Sequence, residues 1–325
     1  VEADFFSIKG FKWFEQAKHL TLSYHWFLPK AVRVNTRWLD SLPADLQALG
    51  AQWGSAEMQT HAQLANVHTP QLRSHDRFGN RIDQVEFHPS YHALMAAAMQ
   101  AGLHGSPWID FFDAKPGTST AHQRRAAAFC MFTELESSTL CPISMTYAVM
   151  PALRSNAAIY QDWAPGLSSP HYDPALKLFS QKTGLTMGMG MTEKQGGSDV
   201  RANTTQAKAD GSDAWGQRFK LVGHKWFFSA PMCDAFLVLA QSAAGLSCFF
   251  LPRVLPDGSL NNLRVQRLKD KLGNKANASS EVEFVGATAW LVGDEGRGIP
   301  QILAMGAITR LEHRVVTVTG ARKRR

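Results

Sequence analysis

Cysteine is scarce in this 325-residue chain. The four residues (Cys130, Cys141, Cys233 and Cys248) form no Cys-x-x-Cys pair and no zinc-type grouping. That spacing points away from a disulfide framework or a structural zinc, and toward buried or half-buried thiols in a reducing compartment. No run approaches the roughly 20 apolar residues that a membrane-spanning helix needs. No charged-then-apolar leader opens the chain, because Val1–Phe6 is followed by Lys9, Lys12 and Glu15. The expectation is a cytoplasmic protein with no membrane partner. Gly-x-Ser-x-Gly is absent too, so a hydrolase reading has no anchor.

A basic body is also lacking. The formal net charge is +7, but residues 310–325 carry six basic side chains against Glu312, which leaves +2 for everything else. Four of the six, Arg322–Arg325, end the chain and would give only weak, salt-sensitive, sequence-blind attraction to phosphates. What is present is a core: 45% of the residues are hydrophobic and 19% charged, the mix of a globular protein of about two domains.

The first thirty residues are aromatic and lysine-rich without a clean period. From Trp38 to about Phe179 the spacing is helical. In Ser90–Leu103, Tyr91, Leu94, Met95 and Ala98 fall on one helix face, with Ser90 as the expected N-cap. Residues 121–135 form a second such stretch. After about residue 186 short β-favouring runs take over: Phe219–Val222, Lys225–Phe228, Phe236–Ala240, Ser247–Leu251 and Val282–Phe284, separated by Gly- and Asp-rich turns. Helices followed by strands, without βαβ alternation, indicate an α+β chain with segregated domains, the second a small β-barrel or sandwich. A helical pattern restarts near Gly298–Met305.

Three segments draw attention. Gly188–Val200 (GMGMTEKQGGSDV) is glycine-rich, yet it fails both phosphate-loop tests. A dinucleotide fingerprint needs glycine at Glu193, and a Walker loop needs Gly-Lys at Gln195 and Gly196. Gly196 and Gly197 still let backbone amides approach a ligand, with the Ser198 hydroxyl beside them. A glycine-rich hairpin accounts for the glycines equally well. Gly223–Ser229 (GHKWFFS) carries three consecutive aromatics, so at least one faces away from its own domain's core, toward another domain or a flat ligand. In Arg267–Lys275 the alternating charges fit a solvated loop or strand edge. His88 and His92 have i, i+4 spacing, but no third ligand follows at a characteristic distance, and no metal is expected.

Taken in order, Met191–Val200, Gly223–Ser229 and Lys269–Asn274 resemble the flavin-binding middle region of the acyl-CoA dehydrogenases. The Glu-Lys-Gln-Gly-Gly-Ser-Asp variant, with Leu140–Ser144 upstream, is similar to the AidB branch of alkylation-response proteins. The resemblance spans roughly residues 35–310. It implies an irregular segment 1–34, an α-helical domain 35–185, a β domain 186–295 with the flavin motifs, and, in 296–325, a remnant of the C-terminal helical domain plus the basic tail. It implies FAD. By position, Met189, Gly190, Met191 and Thr192 would meet the flavin ring, Gly197 and Ser198 the pyrophosphate, and Phe227, Phe228 and Ser229, with Trp226 close by, would lie along the flavin. Implied too are an acyl-CoA or related substrate, oxidoreductase chemistry on CH–CH groups, and tetramers in relatives. The alternative is a DNA-binding protein that protects against alkylation damage, with flavin structural or acting on alkylated material.

The resemblance stops short in two places. The family's catalytic glutamate comes from the C-terminal domain, and none of Glu193, Glu281, Glu283 or Glu295 sits in a matching motif. After Arg310 the chain becomes β-branched and basic, which, with the missing Met and the irregular start, predicts a fragment or a frame-shifted reading, of impaired activity and doubtful assembly.

Overall fold

The computed structural model describes residues 43–113 and 120–309. The irregular start, the basic tail and Arg322–Arg325 lie outside the described residues.

The helical part opens with α1 (Ala44–Trp53) and α2 (Ala56–Val67), the latter capped by Ser55, whose hydroxyl accepts from Met58 N. A hairpin follows, β1 (Gln71–His75) and β2 (Arg81–Glu86), within the stretch expected to be helical throughout. Its turn runs through Asp76 and Gly79, and Arg81 reaches Val265 O in the second part of the fold at 2.8 Å. This long-range anchor has no local periodicity to announce it. Next come α3 (Pro89–Gln100), α4 (Ser106–Asp113), α5 (Ala121–Leu135), α6 (Leu140–Leu153) and α7 (Ala157–Ser168). At α3 the cap is His88, not Ser90: the imidazole accepts from Ser90 N at 3.2 Å, and Pro89 takes the first helical position.

The second part is a sheet of seven strands: β3 (Met187–Gly190), β4 (Gln206–Asp213), β5 (Gly216–Ser229), β6 (Ala235–Ser242), β7 (Gly245–Pro252), β8 (Leu263–Leu268) and β9 (Ser279–Leu291). Pairings run β6-β4-β5-β9-β7, and β7 pairs back onto β6, so the sheet closes; β3 joins parallel to β6 and β8 antiparallel to β9. The two runs expected at 219–222 and 225–228 are one strand, β5. It stays continuous at Gly223 (φ +149), where a Cβ would lie 2.6 Å from Thr205 Cα. Residues 298–309 form a last helix, α8.

One apolar cluster joins α6 and α7 to the barrel, with Val149, Trp163 and Leu167 beside Phe236, Phe250 and Trp290. A second unites α1, α2, α3 and α5 around Trp53 and Phe132. Cys130, Cys233 and Cys248 are buried and Cys141 half-buried, as expected.

Candidate functional site

The site grows from the meeting of β3 and β5. Thr146 of α6 accepts from Met187 N at 2.9 Å and so sets the start of β3. Strand alternation then turns Gly188 and Gly190 inward. A Cβ on Gly188 would lie 2.7 Å from the Phe236 ring, and one on Gly190 2.5 Å from the Phe228 ring. Met189 and Met191 face the other way and are half-buried.

On β5 the register against β9 slips between Lys225 and Phe228: Lys225 pairs with Val282 but Phe228 with Ser280. The extra residue lets Trp226 and Phe227 both stay half-buried between two buried neighbours. Trp226 N donates to Thr192 O at 2.9 Å, which ties this bulge to the end of β3. Lys269 lies over the Trp226 ring at 3.7 Å from its centroid, with Lys194 and Arg267 farther off at 5.7 Å.

Beneath the junction is an ion pair that motif reading passed over. Glu193 and Lys225 are both fully buried, 2.7 Å apart. The Glu193 carboxylate also accepts from the backbone and hydroxyl of Thr204 and of Thr205, while Lys225 donates to Leu239 O. Burial pushes the Glu193 carboxyl up, but the Lys225 charge and these hydrogen bonds outweigh it and bring its pKa down to about 2. A carboxylate held this way is not available as a base. Nothing in their neighbours marks them: Glu193 stands beside Thr192, Lys194 and Gln195, and Lys225 shares β5 with Arg218, Lys220 and His224.

The turn after Glu193 closes with Gly196 N donating to Glu193 O at 3.0 Å, Gly196 standing at φ +121. Gly197 packs so tightly on Thr192 that a Cβ would sit 2.8 Å from its hydroxyl, and Ser198 is exposed. Met189, Gly190, Met191, Thr192, Gly197, Ser198, Trp226 and Phe227 therefore fall around one junction. Phe228, expected along a bound ring, does not reach its surface. It is 0% exposed, 4.3 Å from Phe236, because after the bulge strand parity turns it inward. Ser229 is 4% exposed with its hydroxyl 3.4 Å from that of Ser279. His88 and His92 are not neighbours in one site: His88 stacks on His68, and His92 meets the Tyr172 hydroxyl at 3.0 Å. No cluster of three metal-ligating side chains occurs among the described residues.

Residues 22–174 match the family described as adaptive response protein AidB, N-terminal domain, and residues 188–287 match acyl-CoA dehydrogenase, middle domain. The chain belongs to the acyl-CoA dehydrogenase superfamily. AidB of Escherichia coli (strain K12) is 51% identical over 270 residues, covering 82% of this chain and 48% of that protein. Acyl-CoA dehydrogenase family member 11 of Caenorhabditis elegans is 31% identical over 290 residues, covering 85% and 44%. The crystal structure of Caenorhabditis elegans ACDH-11 in complex with C11-CoA superposes with a TM-score of 0.74 at 27% identity, covering 90% of this chain and 50% of that one. The chain thus spans about half the length of the curated relatives it matches. Among the described residues, no helix is long and apolar enough to cross a membrane.

Proposed function

We propose that the junction of β3 and β5 is the flavin face of an FAD-binding oxidoreductase that acts on the CH–CH bond of an acyl-CoA or a related thioester. The observation that carries this reading is the adjacency of four half-buried side chains, Met189, Met191, Thr192 and Phe227, beside the exposed Gly197–Ser198 turn. Such a surface fits a flat ring with one polar edge and an attached pyrophosphate. The apolar side chains would cover the ring, the Thr192 hydroxyl would meet its polar edge, and the backbone amides and Ser198 hydroxyl of the turn would donate to phosphate oxygens. When bound, FAD supplies the hydride-accepting chemistry.

The chain's own residues supply orientation. Glu193 and Lys225 tie the turn after β3 to β5, and Trp226 N on Thr192 O sets the spacing between Thr192 and Phe227. Gly190 places its backbone directly over Phe228, which supports the face from below. Domain limits of 35–185 and 186–295 go with this reading, the flavin motifs lying wholly in the second. Visible absorption of the purified chain, before and after adding FAD and gel filtration, tests it. The two bands of protein-bound oxidised flavin are expected, and bleaching by an acyl-CoA under anaerobic conditions then tests the reaction. A soluble, folded chain that emerges without flavin would overturn the cofactor assignment.

A further inference from the structure

Bordered by the residues just before β3 and just after β5, a cavity of about 520 Å³ lies between the helices and the barrel. Its wall includes Thr186 and Ala230, next to Met187 and Ser229, but none of the residues assigned to the flavin face. A volume of this order is typical of small-molecule sites. One side is apolar: Phe87 and Tyr91, stacked at 4.0 Å, with Met95, Leu176 and Met232. Phe87, Leu176 and Met232 keep part of their surface open.

The charges on the wall are nearly all paired. Glu86 meets Arg73 at 2.8 Å and Asp173 meets Lys177 at 2.9 Å. Lys182 meets Asp234 at 2.6 Å, and Asp234 also accepts from Thr186 N at 2.8 Å. Arg253 differs. It is the one charged residue on this wall without a counter-ion in salt-bridge contact among the described residues, and its guanidinium makes one long hydrogen bond, 3.5 Å to Met232 O. The carboxylates within its electrostatic reach, Asp234 and Asp83, are held by Lys182 and Arg81. A guanidinium offers five N–H donors in a fork that matches a carboxylate.

We propose that this cavity binds a medium-sized hydrophobic carboxylate, its carboxylate on Arg253 and its hydrocarbon body along Phe87, Tyr91, Met95 and Met232. The same chemistry is presented by a free organic acid and by the distal carboxylate of a dicarboxylic acid joined to CoA at its other end. The site is built from residues apart from the flavin face, so it stands whether or not FAD binds.

Isothermal titration of the full chain with octanoate tests the proposal, with 1-octanol as the neutral counterpart. Saturable binding of octanoate is expected, with octanol at least tenfold weaker. Arg253→Met should weaken octanoate by roughly ten- to hundredfold, the usual range for a lost charged hydrogen bond. Met95→Trp, which fills the cavity and leaves Arg253 in place, should abolish binding, and melting curves report whether each variant folds. Preference for octanedioyl-CoA over octanoyl-CoA, lost in Arg253→Met, would place the carboxylate on a thioester; octanoate binding without that preference would place it on a free acid. Octanol binding as tightly as octanoate, unchanged affinity in folded Arg253→Met, or no saturable binding would each overturn the proposal.

Discussion

Glu193 and Lys225 stabilise the junction only as a pair. Removing one partner leaves the other charge buried and uncompensated. Glu193→Gln or Lys225→Met should therefore cost about 3–5 kcal/mol in denaturant unfolding. The double variant Glu193→Leu/Lys225→Met should recover part of that loss, since an apolar pair carries no desolvation penalty. Acid dependence follows from the lowered Glu193 pKa. Its contribution is complete above the ordinary carboxyl value of 4.5 and is lost as pH falls through about 2. The stability gap between the wild type and Glu193→Gln should narrow across that window, and denaturant midpoints at pH 6, 4 and 2.5 (a series of roughly these values) check it. A gap that widens toward acid would refute the assignment.

At the scale of elements, the bulge in β5 separates two adjacent phenylalanines by function. Phe228 lies in the barrel core against Phe236 and Phe284, so Phe228→Ala should cost about 3–5 kcal/mol. Phe227 is half-buried on the proposed flavin face, so Phe227→Ala should cost less stability and weaken FAD retention, read by thermal melting and flavin titration. Equal losses of stability would mean that both rings are core. The run Trp226-Phe227-Phe228 was legible as an aromatic strand with a ligand-facing member. Which ring turns inward was not, because a single extra residue in the β5–β9 register reverses parity and leaves no mark in composition. Gly190 gives the complementary test. Gly190→Ala places a methyl 2.5 Å from the Phe228 ring, and the expected loss of about 1–3 kcal/mol is measured by the melting temperature.

At the scale of the molecule, the helical and β parts are not energetically separate. Val149, Trp163 and Leu167 belong to the same apolar cluster as the barrel residues, and Thr146 accepts from the first residue of β3. The emission of Trp163 and Trp215, edge to face on Phe250, and of Trp290, edge to face on Trp215, should therefore change at the same midpoint as the far-UV dichroism of α6 and α7. An earlier helical transition would show that α6 and α7 unfold apart from the barrel.

The amino-acid sequence alone determined the order of elements, helices and then strands, because 3.6-residue and two-residue apolar periods are local properties of the chain. It also carried the superfamily, because the Met191–Val200, Gly223–Ser229 and Lys269–Asn274 segments are contiguous. Only the tertiary structure decided the rest. The β1–β2 hairpin is held by Arg81 on Val265, 184 positions along the chain. The Glu193–Lys225 pair joins residues 32 positions apart. The Arg253 cavity draws its walls from β2, α3, the start of α6 and the barrel. Each depends on groups distant in sequence that only the fold brings together, and charge pairing and burial acquire their energies only there.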